Sequence, residues 1–349
     1  FGVILMKFTN NHNIPLPLAI WLASDEYQYA KTANEISTTT LMKSPRYTIA
    51  TRRAMYPEQF EPELRLLPAE QDLFLQDLTD RVPSRIGVAI HSSVDWTINN
   101  RCKQALGALG CPPEVVDRVK VNPDRETLSE RDIAIFTEQR AYKPVGDFVI
   151  SGQFDAVVNG EVQDIKSTST FSWTSGAMDK KYVLQMSIYR WLNPEIITKD
   201  TCTINFIFTD WNKNYAFSRD DYPKSRAAGK TFQLLSLADT EAYVKDKLHQ
   251  LKKYWNEPLA NIPCCTDEDL YSAPPTYKYY KNGYEEGKRS TKNFDNYNEA
   301  SLYRAKNNGA GEIIVDKGKP FKCPCCDIGI LGSLGSDNIE PDKLDLEIG

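Results

Sequence analysis

Histidine is scarce in this 349-residue chain: His12, His91 and His249 are the complete set, so a multi-histidine zinc site or a Ser/His triad has few ways to form. No apolar run approaches the ~18 residues that a membrane-spanning helix needs. The opening FGVILM is apolar, but it lacks a positive n-region and is soon followed by NNHN, which argues against a secretory signal. Met6 reads as a natural start, with residues 1–5 an upstream extension. Positive charge is in deficit, with 42 Lys and Arg against 47 Asp and Glu and a formal net of −5. That balance excludes a protein that coats nucleic acid or anionic membrane by bulk charge, and leaves a local basic groove open. Internal repeats and long low-complexity tracts are also missing, which excludes solenoids and disordered scaffolds. Without an export signal, the 8 cysteines read as thiols or metal ligands rather than disulfides, and the chain as cytoplasmic with no membrane partner.

The remaining composition is that of a globular protein: 41% hydrophobic, 26% charged and 11% aromatic, over a length that accommodates about two domains. Prolines punctuate the first part up to Pro83. From Ser84, a plausible N-cap, Ile90, Val94 and Ile98 recur every four residues until Gly107 and Gly110, which predicts a helix. Two β-rich runs, 148–158 and 161–167, flank Asn159-Gly160, a strong hairpin signal. Helix KKYVLQMSIYRWL, strand TINFIFTDW and an amphipathic helix over 236–255 follow. The alternation predicts an α/β middle with segments appended at both ends.

The chemistry-bearing residues are Asp155, Asp164 and Lys166. Asp164 and Lys166 are two apart on one strand and share a face, and the tight turn brings Asp155 opposite. Two carboxylates and an ammonium are unfavourable in a dry core, but they suit a divalent cation with oxygen ligands. The lysine then positions or activates a water, or offsets charge on a phosphoryl group. Gln185 and Tyr189 stand at i and i+4 on the next helix and share a face. His91 lies upstream, equally well placed for a core histidine, and Asp95, one turn beyond it, is a candidate to orient its imidazole.

His91 in G-x-x-x-H, S-G-Q-F-D ending at Asp155, D-I-K at 164–166 and Q-x-x-x-Y at 185–189 form an ordered set. Over about residues 84–210 this set resembles the PD-(D/E)XK nucleases, within them the RecB-like and lambda-exonuclease-like branch, and especially its phage-type exonucleases. The stretch from Met6 through TTTLMKSPRYTIATRR is similar to the leader of such enzymes. The resemblance implies a restriction-endonuclease-like core, a central mixed β-sheet flanked by helices, at 84–257. An N-terminal helical and irregular segment would occupy 1–83, and a basic, Cys-containing extension with an acidic tail 258–349. It implies that Asp155, Asp164, His91 and the backbone carbonyl of Ile165 bind Mg²⁺ or Mn²⁺, and that Lys166 is the catalytic lysine. Gln185 and Tyr189 would line the site and contact the DNA backbone. Glu138 falls where relatives carry an additional acidic residue, and Asp164 replaces the commoner Glu of the motif.

Cys323 and Cys326 have C-x-x-C spacing, with Cys325 between them, and Cys264 and Cys265 lie nearly sixty residues earlier. Together they could hold Zn²⁺ or an iron–sulfur cluster. Some RecB-like nucleases carry a four-cysteine cluster, but Gly332 stands here where the last cysteine of that pattern belongs. Cys102, Cys111 and Cys202 read as buried apolar fillers. Residues 278–322 hold 10 Lys and Arg against 6 Asp and Glu, interleaved with aromatics, a mixture suited to tracking a phosphate backbone and stacking on bases. Lys43, Arg46, Arg52 and Arg53 form a second basic group. The expected function is metal-dependent DNA hydrolysis, by an exonuclease acting on double-stranded ends or single strands in recombination or genome processing. A recombination or single-strand annealing partner and the host cytoplasm go with a phage origin. A structure- or site-specific endonuclease on the same core, and a non-catalytic DNA-binding accessory protein, are the alternatives.

Overall fold

The computed structural model describes residues 7–24, 30–65, 75–265 and 275–316. In chain order the elements are β1 (Lys7–Thr9), α1 (Leu16–Ala23), β2 (Glu35–Ser37), α2 (Thr38–Leu41), α3 (Pro45–Met55), β3 (Leu75–Asp77), α4 (Leu78–Ala108), α5 (Pro113–Arg118), β4 (Val119–Val121), β5 (Ile133–Thr137), β6 (Arg140–Val145) and β7 (Phe148–Gln153). There follow β8 (Ala156–Val158), β9 (Glu161–Thr168), α6 (Thr170–Ser175), α7 (Asp179–Leu192), β10 (Thr201–Phe208), α8 (Lys213–Ser218), β11 (Ala227–Gln233), α9 (Leu237–Tyr254), β12 (Thr276–Tyr280), β13 (Lys292–Phe294), α10 (Tyr297–Lys306) and β14 (Glu312–Asp316). They fall into two compact units. Of the described residues, the first comprises 7–24, 30–42, 55–65 and 75–256, and the second 43–54, 257–265 and 275–316.

The first unit is an α/β fold with a six-stranded mixed sheet in the order β11-β10-β9-β8-β5-β4. Helices flank this sheet, and β2, β7 and β6 form a smaller one. Asn159 and Gly160 adopt positive φ values of 48° and 82°, the backbone a two-residue hairpin turn demands, and pair Val158 with Glu161. The β-rich run 148–158 is not one strand. It breaks at Phe154-Asp155, and its halves join different sheets.

Alternation along β10 buries Cys202, Ile204, Phe206 and Phe208 against Tyr182, Met186 and Tyr189 of α7. Each large apolar side chain so buried contributes about 1.5–3 kcal/mol, and here the contacts clamp the motif strand β9 between β8 and β10. Trp255 meets the rings of Phe60 and Phe148 at 5.5 and 5.1 Å, closing the other end of this unit.

Helix α4 begins six residues before the expected Ser84, and the expected boundary at 83/84 lies inside it. Asp77 is the N-cap, accepting from the Thr79 N–H, and Pro83 is internal. The early turns survive the proline because Leu78, Arg81 and Arg85 are buried. Arg81 donates to the Ser24 carbonyl at 2.9 Å and Arg85 to the Ser24 hydroxyl at 2.8 Å, so tertiary anchoring outweighs the lost helix bond. Helix α9 starts where the sequence places it, with Ser236 accepting from the Asp239 N–H.

In the second unit β13, β12 and β14 form an antiparallel sheet covered by α10, with Tyr279, Phe294 and Ala300 at its core. Arg52 and Arg53 of α3 are buried, and Arg53 donates to the Glu257 carbonyl at 2.7 Å. Arg46 donates to the Ile262 carbonyl at 3.1 Å. The basic group near the N-terminus therefore ties α3 to the segment after α9 and is not a free cationic surface. Among the described residues no helix is long and apolar enough to cross a membrane.

Candidate metal centre

Asp155 sits where the chain leaves one sheet for the other. Strand β8 is three residues long, so the Ile165 N–H of β9 lies beyond its last partner. The Asp155 carboxylate takes the missing acceptor's place, with Oδ2 2.8 Å from that nitrogen. Its Oδ1 faces His91 Nδ1 of α4 at 3.2 Å. The hydrogen bond to Asp155 raises the His91 pKa, against the opposing effect of burial.

Glu138 completes the group. It occupies the turn between β5 and β6 with φ of 50°, a left-handed backbone that side chains rarely adopt, and its N–H donates to the Asp155 carbonyl at 3.1 Å. Gln153 holds its carboxylate, donating from Nε2 to Oε2 at 2.6 Å, and Gln153 in turn accepts from Arg140 at 2.9 Å. Burial, aided by the charge of Asp155, raises the Glu138 pKa. One potential ligand atom each from His91, Glu138 and Asp155 lies within 4.8 Å of the others. Two hard carboxylates and an imidazole at that separation fit a divalent metal ion.

Asp164 and Lys166 project from β9 toward α7, close enough to the cluster that the charges of Asp155 and His91 act on Asp164. Asp164 is 2% exposed, and its Oδ2 lies 2.7 Å from Lys166 Nζ. That oxygen receives no hydrogen bond of good geometry, a buried acceptor left only with its ion-pair partner. Burial pushes the Asp164 carboxyl up to about 6, with Lys166 acting against the rise. Burial is the largest single effect on Lys166 and lowers its pKa, but the charge and hydrogen bond of Asp164 together with the charge of Asp155 outweigh it and the net shift is upward. Asp164 pairs with the lysine, and the three residues whose ligand atoms converge within 4.8 Å are His91, Glu138 and Asp155.

Gln185 donates to the Tyr189 hydroxyl at 2.9 Å. Tyr189 is buried in the core, where burial raises its pKa, and its hydroxyl holds the Gln185 amide. Asp95 does not orient His91: its Oδ1 accepts from Asn99 at 2.8 Å, and Asp155 holds the imidazole. For Glu138 the resemblance offers only the position of an additional acidic residue. The positive φ at Glu138 and its backbone bond to Asp155 bring it into the cluster, and sequence carries no signal for either.

Between α4 and the β9–β11 part of the sheet, a cavity of about 510 Å³ opens from this cluster. In the second unit, Cys265 Sγ lies 3.1 Å from the Ser44 hydroxyl, and Arg46 donates to Cys264 Sγ at 3.6 Å. Cys323, Cys325 and Cys326 lie outside the described residues. Cys202 is buried, but Cys102 and Cys111 are half-exposed, because α4 and the turn after it lie at the surface there. In the basic stretch Lys278 pairs with Asp316, and Lys288 with Glu285 at 2.5 Å.

No family model matches the chain, and no curated protein matches it. Among solved structures it is similar to a protein designated SSO0001, with a TM-score of 0.36 and 17% identity over 69% of this chain and 85% of that one. It is also similar to a phage related exonuclease from Haemophilus somnus 129PT, with a TM-score of 0.26 and 17% identity, covering 37% of this chain and 64% of that one. At such scores the functional reading stands on this chain's own residues.

Proposed function

We propose that the chain is a divalent-metal-dependent deoxyribonuclease, an exonuclease of the PD-(D/E)XK type acting in recombination or genome processing. One observation carries the reading: His91, Glu138 and Asp155 converge within 4.8 Å, and Asp155 is hydrogen-bonded to Ile165, the residue between the paired Asp164 and Lys166 on β9. His91, Glu138, Asp155 and the Ile165 carbonyl would hold Mg²⁺ or Mn²⁺. When bound, such an ion supplies Lewis acidity toward water and toward a phosphoryl oxygen.

The chain's own groups do the rest. The raised pKa keeps Lys166 an ammonium at neutral pH, and its side chain is 28% exposed. It therefore donates to, and neutralises charge on, a phosphoryl oxygen or an attacking water, and it does not act as a base. Asp164 holds that ammonium in place. The bond from Ile165 N–H to Asp155 fixes the strand carbonyl relative to the carboxylates, and Gln153 fixes Glu138. Gln185, half-buried and bonded to the Tyr189 hydroxyl, would meet the DNA backbone.

The test is incubation with linear and covalently closed DNA, with Mg²⁺ or Mn²⁺ and with EDTA. Release of nucleotides from linear DNA alone, abolished by EDTA, is the expected result. Nicking of closed circles identifies an endonuclease on the same core. DNA bound and never cut, with Asp164→Ala indifferent, overturns the reading.

A further inference from the structure

We infer that the cavity beside the metal cluster is a nucleobase subsite, which receives the unpaired base of the nucleotide whose phosphate lies at His91, Glu138 and Asp155. The inference rests on the nuclease reading and narrows it to unpaired ends or single strands.

The walls argue for a base and against a backbone. His91, Val94, Asp95 and Ile98 follow i, i+3, i+4, i+7 spacing, so one face of α4 forms a side of the cavity with two aliphatic groups. Ile165, Asn205, Ile207, Ala227 and Gly229 form the floor, from alternate positions of three adjacent strands. The charged side chains of the lining are His91, Asp95, Glu138 and Asp155, and among the described residues none is lysine or arginine. Phosphates would be repelled along this cavity, whereas a neutral planar ring would lie between Val94, Ile98 and Ile207.

The floor also offers directed polar groups. Asn205 donates from Nδ2 to Gln163 Oε1 at 3.1 Å, which fixes the amide, and its Oδ1 has no hydrogen-bond partner among the described residues. An exocyclic amino group is the natural donor to it. Above this oxygen the space is kept by Gly229, whose missing Cβ would stand 3.6 Å from Asn205 Oδ1 and 3.4 Å from the Thr203 methyl. A volume of about 510 Å³ accommodates a nucleoside, and a base reaches it only by leaving its stack.

The experiment compares single-stranded oligonucleotides that differ in one terminal nucleotide, normal or abasic, with wild-type protein and Mn²⁺. The abasic end should be cut with about tenfold lower kcat/KM, mostly through KM. Gly229→Val fills the cavity from an edge strand that tolerates a β-branched residue. It should cost a similar factor on the normal end, and the two losses should not add. Equal cutting of both ends by the wild type, a measurement that needs no variant, overturns the subsite, as do fully additive losses. If the wild type cuts neither end, the nuclease reading falls, and binding decides the subsite. Deoxyadenosine monophosphate with Ca²⁺ should then bind about tenfold more tightly than deoxyribose 5-phosphate, and equal affinities would overturn it.

Discussion

Replacing Asp164 by asparagine should make the metal-free protein more stable while abolishing the proposed activity. The Asp164 carboxyl is 2% exposed and raised from 3.8 to about 6 by burial. A shift of about two pKa units corresponds to about 3 kcal/mol of destabilisation when the group is ionised. A raised carboxyl binds its proton more tightly folded than unfolded, so the destabilisation is absent below about pH 4, develops as pH rises to about 6 and is full at pH 7.5. Asparagine removes it. The rise to about 6 already contains the opposing attraction of Lys166, so the net gain is about 3 kcal/mol, or about 8 °C in Tm. All six tryptophans lie in the first unit, so urea unfolding in EDTA followed by tryptophan fluorescence reports on the unit that contains the change. The gap between variant and wild type should widen between pH 4 and 6. A variant no more stable than wild type at pH 7.5, or a gap independent of pH, would refute the reasoning.

Three other perturbations probe the frame around the site. Gly152→Ala would set a Cβ 2.6 Å from the Thr38 hydroxyl and 2.7 Å from the Leu192 methyl, so overpacking should cost about 1–3 kcal/mol in urea unfolding. Phe154→Ala, at a fully buried ring next to Asp155, should cost about 3–5 kcal/mol and weaken Mn²⁺ binding measured by calorimetry. His91 and Glu138 both hold protons more tightly than usual, and a metal must displace them. The rise in Tm produced by Mn²⁺ should therefore be larger at pH 8 than at pH 6, and absent in Asp155→Asn at both.

Much of the site's one-dimensional order was legible because it rests on short-range geometry. Asn159-Gly160 specifies its turn, and residues two apart on β9 or four apart on α7 must share a face. What was hidden depends on the chain's long-range path. The split of residues 148–158 at Asp155 follows from two sheets competing for one β-rich run, which local propensity does not encode. The place of Glu138 in the cluster depends on a left-handed turn that a glutamate would not ordinarily be assigned. Helix α4 runs through Pro83 because Arg81 and Arg85 find partners at Ser24, some sixty residues away, and periodicity has no access to such contacts. Arg52 and Arg53 looked like a cationic surface because sequence records their charge and not their burial.

The central claim is that the carboxylates and imidazole at Asp155, Glu138 and His91 support metal-dependent cleavage of DNA. The most direct measurement is release of acid-soluble nucleotides from end-labelled linear DNA by wild type and Asp155→Asn, with Mn²⁺ or EDTA, alongside DNA binding by both proteins. The account predicts release by wild type with Mn²⁺ alone, and an Asp155→Asn protein that binds DNA and releases nothing. Release in EDTA, or undiminished release by Asp155→Asn, would contradict it.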